Sequence, residues 1–267
     1  MSVAAGGGES KLDKKKLMMY GIGGGIVGIY LAGILNSAMD TNYFSFLAGL
    51  GVIAAIVMGS EAVRMVCAYG IGTGVPSIGL MAMGMGLVAA MFGLSIGGIA
   101  GPIIGLVVAV AIGYFTGMMA NKIIKMNIPV MEETLTMLAA AGAITLIGLS
   151  VLVAGRIDYE LIMSGVINTG YIAVLFIAGS LAILHPFNAN LGPDETQDRT
   201  LVHTISTGAL TMIVGGIASI AIIGSAGVLT VIIAAVIWLY TFRWYFQLVK
   251  RDSAGVVGTG LLPKGEM

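Results

Sequence analysis

The sequence is poor in nearly everything that soluble enzymes use for chemistry. Its 267 residues include only 13 Lys and Arg, 13 Asp and Glu, two His and one Cys. The single Cys67 excludes an internal disulfide. His185 and His203 have no further ligand at a known metal spacing, so neither a metal site nor a Cys–His nucleophile pair is expected. Zero net charge gives no basic surface for a nucleic acid. From Val75 to Asn121 there is no charged residue at all, and no soluble surface is built without charge.

What is present is apolar and small. Hydrophobic residues make up 58% of the chain, 41 residues are glycine, and mean hydropathy is +1.01. Small residues recur at every fourth position at Ala89, Gly93, Gly97, Gly101, Gly105, Ala109, Gly113 and Gly117. In water each glycine weakens a helix by roughly 1 kcal/mol relative to alanine. In lipid, small residues let two helix backbones approach and pack. Four residues advance a helix by about 400°, so this stripe drifts about 40° per step and would wander on one straight helix. Gly97, Gly98 and Pro102 therefore predict a break, with the Gly101–Gly117 stripe facing protein rather than lipid.

A span needs about 20 apolar residues. Candidates are 17–39, 43–60, 76–94, 99–121, 134–154, 161–184, 201–222 and 228–249, which gives eight spans, or seven if the third and fourth form one bent element. With the N-terminus inside, twelve of the 13 basic residues lie on the cytoplasmic side, and only Arg156 lies outside. The expected fold is all-α, a polytopic bundle of seven or eight transmembrane helices with glycine-rich packing and both termini cytoplasmic. Its parts are a flexible basic segment 1–16, a single membrane domain 17–249 and a flexible tail 250–267. Within the domain, 185–200 reads as a cytoplasmic loop.

Few residues offer chemistry. Gly23, Gly25 and Gly28 fit G-x-G-x-x-G but lie inside an apolar span, so packing is the reading there. Ionisable residues at mid-membrane are functional candidates, and no proposed span has a carboxylate there. Glu61 comes nearest. With Arg64 one helical turn on it reads either as an ion pair at the cytoplasmic interface or as a carboxylate lining an ion entrance. Neutral oxygens are offered by Thr145, by Asn168 and Thr169, and by Ser206, Thr207 and Thr211. Such groups either ligate a hard cation together with backbone carbonyls or simply bond neighbouring backbone. The 185–200 segment, with His185, Asp194, Glu195, Asp198 and Arg199, reads as a docking or gating loop, or as an ordinary capped loop.

That segment, HPFNANLGPDETQDRTL, and the earlier EAVRMVCAYGIGTGVPSIGLMAMGMG, together with length and span order, resemble the C-subunit family of tetrahydromethanopterin S-methyltransferase from methanogenic archaea. The resemblance implies a membrane component of a complex that moves a methyl group from methyl-tetrahydromethanopterin to coenzyme M and exports Na+. It implies the D and E membrane subunits as partners alongside membrane lipids, and a cobamide carried by another component. No catalytic, cofactor or metal residue carries over to this chain. A stand-alone secondary transporter and a purely structural membrane anchor remain as alternatives.

Overall fold

The computed structural model describes residues 13–69, 75–96, 98–190 and 196–253. Helix α1 (Lys14–Ala38) opens on Asp13, whose carboxylate accepts from Lys15 N at 3.0 Å. It is followed by α2 (Tyr43–Cys67), α3 (Val75–Ile96), α4 (Gly101–Ile123) and α5 (Met131–Ala154). A short α6 (159–167) precedes α7 (Tyr171–Asn190), α8 (Gln197–Ile223) and α9 (Ser225–Ser253). Seven of these are long and apolar enough to cross a membrane, and the 22-residue α3 adds an apolar stretch, Leu80–Ile96. The third and fourth predicted spans are thus two helices.

Cross-links fix which ends lie together. Lys14 Nζ meets Glu133 Oε2 at 3.2 Å, joining the starts of α1 and α5. Thr196 Oγ1 donates to Asp252 Oδ2 at 2.9 Å, joining the start of α8 to the end of α9. At the opposite end Arg156 pairs with Asp40 at 2.7 Å, and Tyr43 Oη meets Ser225 Oγ at 2.8 Å. Among the described residues the basic side chains other than Arg156 therefore gather at one end, as the charge pattern predicts.

Helix α5 is the axis of the bundle. It is apolar or small on all sides, and such a helix belongs inside a core rather than at a boundary. Nearly every residue from Leu135 to Ala154 is buried, and α1, α2, α3, α4, α7 and α8 all pack on it. Asn36 ties the far end together. Its amide donates to Ser45 Oγ and to the Gly155 carbonyl, and its oxygen accepts from Phe44 N.

The small-residue ladder divides as expected. Helix α3 ends at Ile96, Gly98 turns the chain at φ +65°, and α4 begins at Gly101. A Cβ on Gly105 would lie 3.0 Å from the Ala89 carbonyl of α3, whereas one on Gly113 would lie 2.6 Å from the Leu135 carbonyl of α5. Gly101, Gly105, Ala109, Gly113 and Gly117 are all buried. The drift of the stripe is thus put to use, serving α3 in its first half and α5 in its second.

Three expectations are corrected. The sixth span is not 161–184. Gly170 at φ +79° ends a short outer helix, and the spanning helix begins only at Tyr171. The loop 185–200 is also much narrower, because α7 runs on to Asn190 and α8 starts at Gln197. Finally, the basic segment and the tail are partly helical, from Lys14 and as far as Ser253, while 1–12 and 254–267 lie outside the described residues.

Candidate functional site

The loop is short because α7 runs on through Pro186 to Asn190. Pro186 has no N–H to give the Ala182 carbonyl, which would leave that acceptor orphaned in a membrane helix. The Thr207 hydroxyl of α8 donates to Ala182 O at 3.2 Å, and one turn away Thr211 donates to Ala178 O at 3.2 Å. Each hydroxyl shares its proton between α7 and its own helix, since Thr207 also lies 3.1 Å from Thr204 O and Thr211 lies 3.0 Å from Thr207 O. Asn190 closes the helix, its amide donating to Pro186 O at 2.7 Å.

A polar seam continues from there toward the basic end. Asn190 also contacts His203 Nδ1 at 3.1 Å and accepts from Tyr245 Oη at 3.0 Å. The His203 ring packs against His185 at 5.1 Å and Tyr245 at 4.5 Å between centroids. On α2, Ser60 meets Thr204 Oγ1 at 3.1 Å. Beside it, Gln197 Nε2 donates to Glu61 Oε2 at 3.0 Å, with both residues buried. Asp252 gathers Thr196 and Arg251, and Arg199 stands 4.0 Å away. Four helices, α2, α7, α8 and α9, are stitched here through groups that burial makes obligatory partners.

Glu61 and Arg64 are not at an exposed interface. Their exposures are 1% and 4%, and the carboxylate reaches across to α8. Gln197, Asn190 and Tyr245 were missed by sequence reasoning, since nothing local marks a glutamine that meets its partner 136 positions away. Asn168 and Thr169 lie elsewhere, exposed at the end of α6, where Thr169 donates to its own Gly165 carbonyl at 2.8 Å. They precede the spanning helix α7 rather than lying in its middle. Asp198 is exposed and Arg199 buried in the first turn of α8, and His185 is exposed on α7. Asp194 and Glu195 lie outside the described residues, as do Gly72, Thr73 and Gly74.

Deeper in the bundle, two hydroxyls stand without a partner. Thr145 Oγ1, near the middle of α5, and Ser180 Oγ, near the middle of α7, are buried and make no hydrogen bond. The helices touch there, since a Cβ on Gly179 would lie 2.8 Å from Thr145 Cγ2. Ser180 also borders a groove of about 330 Å3 that runs between Leu80 and His185. A buried polar group left unsatisfied costs about 1–3 kcal/mol, so these oxygens favour a small polar guest. Neutral hydroxyls together with helix carbonyls are oxygen donors of the kind that suits a hard cation or water; they offer no nucleophile, general base or soft-metal ligand. Among the described residues no three His, Cys, Asp or Glu side chains come together as a metal site.

Comparison with known proteins points the same way as the resemblance. Residues 1–266 match the family of the C subunit of tetrahydromethanopterin S-methyltransferase. The C subunit of Methanosarcina mazei is 50% identical over 270 residues, covering 100% of this chain and 99% of the relative. That of Methanosarcina acetivorans is 49% identical over 269 residues with the same coverage. With seven long apolar helices and whole-length similarity at this level, the chain belongs to the C-subunit family of tetrahydromethanopterin S-methyltransferase.

Proposed function

We propose that this chain is a multi-pass membrane subunit of the methyltransferase complex and contributes part of the Na+ path while other subunits transfer the methyl group. The complex couples methyl transfer from methyl-tetrahydromethanopterin to coenzyme M with Na+ export. Family membership supports the subunit assignment. The pair of buried, unpartnered hydroxyls at Thr145 and Ser180 carries the ion-path reading.

The division of labour follows from the side chains. Neutral oxygens bind Na+ only where its charge is compensated nearby, and the interior here provides Glu61 toward the basic end rather than a carboxylate at the centre. A partner, with the D and E subunits the first candidates, supplies the remaining charge. The cobamide also belongs to a partner, since His203 is held by Asn190 and packed edge-on to His185 and against Tyr245.

Affinity purification in mild detergent tests the assignment. The expected result is recovery of the methyltransferase subunits with this chain, and Na+ uptake driven by methyl transfer after reconstitution. A lone chain that transports a solute by itself would favour a secondary transporter instead. An intact complex whose Na+ flux ignores Glu61→Gln, Thr145→Val and Ser180→Ala together would leave a structural anchor.

A further inference from the structure

Helix α9 packs chiefly on α8 and turns most of its surface outward. Near its basic end that outward surface is unusual in composition. Arg243, Gln247 and Lys250 follow one another at helical spacing, with Tyr240, Trp244 and Phe246 exposed around them. Two shallow depressions, of about 270 and about 400 Å3, share Arg243 and Gln247 as lining. Lys250 lies over the Phe246 ring at 4.9 Å from its centroid.

Among the described residues Arg243 has no carboxylate partner. It lies more than two turns before Ser253, on the outside of the bundle, where a guanidinium in the boundary of a bilayer needs an anion. Exposed Tyr and Trp mark the headgroup level of a membrane, and clustered cations beside them recognise negatively charged lipids. The guanidinium fork suits two phosphate oxygens, and the Gln247 amide adds a neutral donor.

We infer that Arg243, Gln247 and Lys250 form a binding site for the phosphate of an anionic lipid headgroup in the leaflet at the basic end. Tyr240, Trp244 and Phe246 hold the adjoining glycerol and chain region. The occupant is a lipid rather than an acidic protein segment because aromatic rings frame the cations on both sides. That arrangement fits a headgroup entering from the plane of the membrane.

The two tryptophans make the test direct, since both Trp238 and Trp244 lie on α9. The full chain carrying Trp238→Phe is reconstituted into phosphatidylcholine vesicles containing brominated phosphatidylglycerol or brominated phosphatidylcholine, and Trp244 quenching is compared. The site predicts a preference for phosphatidylglycerol of about 25-fold, about fivefold from each of its two cations. Arg243→Gln should lower the preference to about fivefold, the share of Lys250, and Arg243→Lys should keep most of it. Equal quenching by both lipids, or a preference undiminished by Arg243→Gln, overturns the inference. In the purified complex, a benzophenone photocrosslinker at Tyr240 should capture lipid; capture of another protein component at that position also overturns it.

Discussion

Replacing Thr207 by valine tests how far its hydroxyl, shared between Ala182 O and Thr204 O, stands in for the helical bond that α7 lacks at Pro186. The change is nearly isosteric and removes the donor to Ala182 O, the carbonyl that Pro186 leaves without its helical N–H. Interhelical hydrogen bonds in membrane proteins average about 0.6 kcal/mol and reach about 1.7, and an orphaned acceptor in a dry interior belongs at the upper end. Thr207→Val should therefore cost about 1.5 kcal/mol. Pro186→Ala supplies the missing N–H, and in that background Thr207→Val should cost only a few tenths of a kcal/mol. Unfolding of the four variants in mixed micelles, titrated with sodium dodecyl sulfate, gives the coupling energy of the double-mutant cycle. Equal costs for Thr207→Val in both backgrounds would refute the claim that Thr207 substitutes for the helical bond.

Substitutions at Gly113, Gly84 and Gln197 test the packing and the seam. Gly113→Ala would place its methyl carbon 2.6 Å from the Leu135 carbonyl, so α4 and α5 must separate, at a cost of about 1–3 kcal/mol in the same titration. Gly84→Ala meets nothing within 4 Å and should be neutral or stabilise by up to about 1 kcal/mol through helix propensity. Gln197→Leu removes the amide from the Glu61 carboxylate and should cost about 1.5–3 kcal/mol, as for a bond to a charged group. Gln197→Asn is too short to span the same gap and should lose a comparable amount.

Much of the architecture is legible in the sequence because its causes are local or additive. The drift of the Ala89–Gly117 stripe predicts the break before Pro102, and the placement of basic residues predicts which helix ends lie together. The failures share one cause. Hydropathy alone cannot separate a short outer helix from a span, so apolar Ile162 and Val166, which are buried by other helices, pull the sixth span too early. Pro186 signals a helix end by itself, and the contact of the freed Ala182 carbonyl with Thr207, on another helix, is not visible in the sequence. Glu61 was recognisable as the carboxylate deepest in a span, while its partner Gln197 was not. Thr145 was legible as a mid-span oxygen; Ser180 was not, because only the packing of α5 on α7, at Thr145 and Gly179, buries that part of α7.

Whether this chain lines the ion path is decided by the ratio of Na+ ions moved to methyl groups transferred, measured with the reconstituted complex. Thr145→Val combined with Ser180→Ala keeps the helices packed and removes both unpartnered oxygens. The ratio should fall severalfold in that double variant, while Thr145→Ser, which retains the hydroxyl, should leave it near the unsubstituted value. A ratio unchanged in the double variant would contradict a role for this subunit in the ion path.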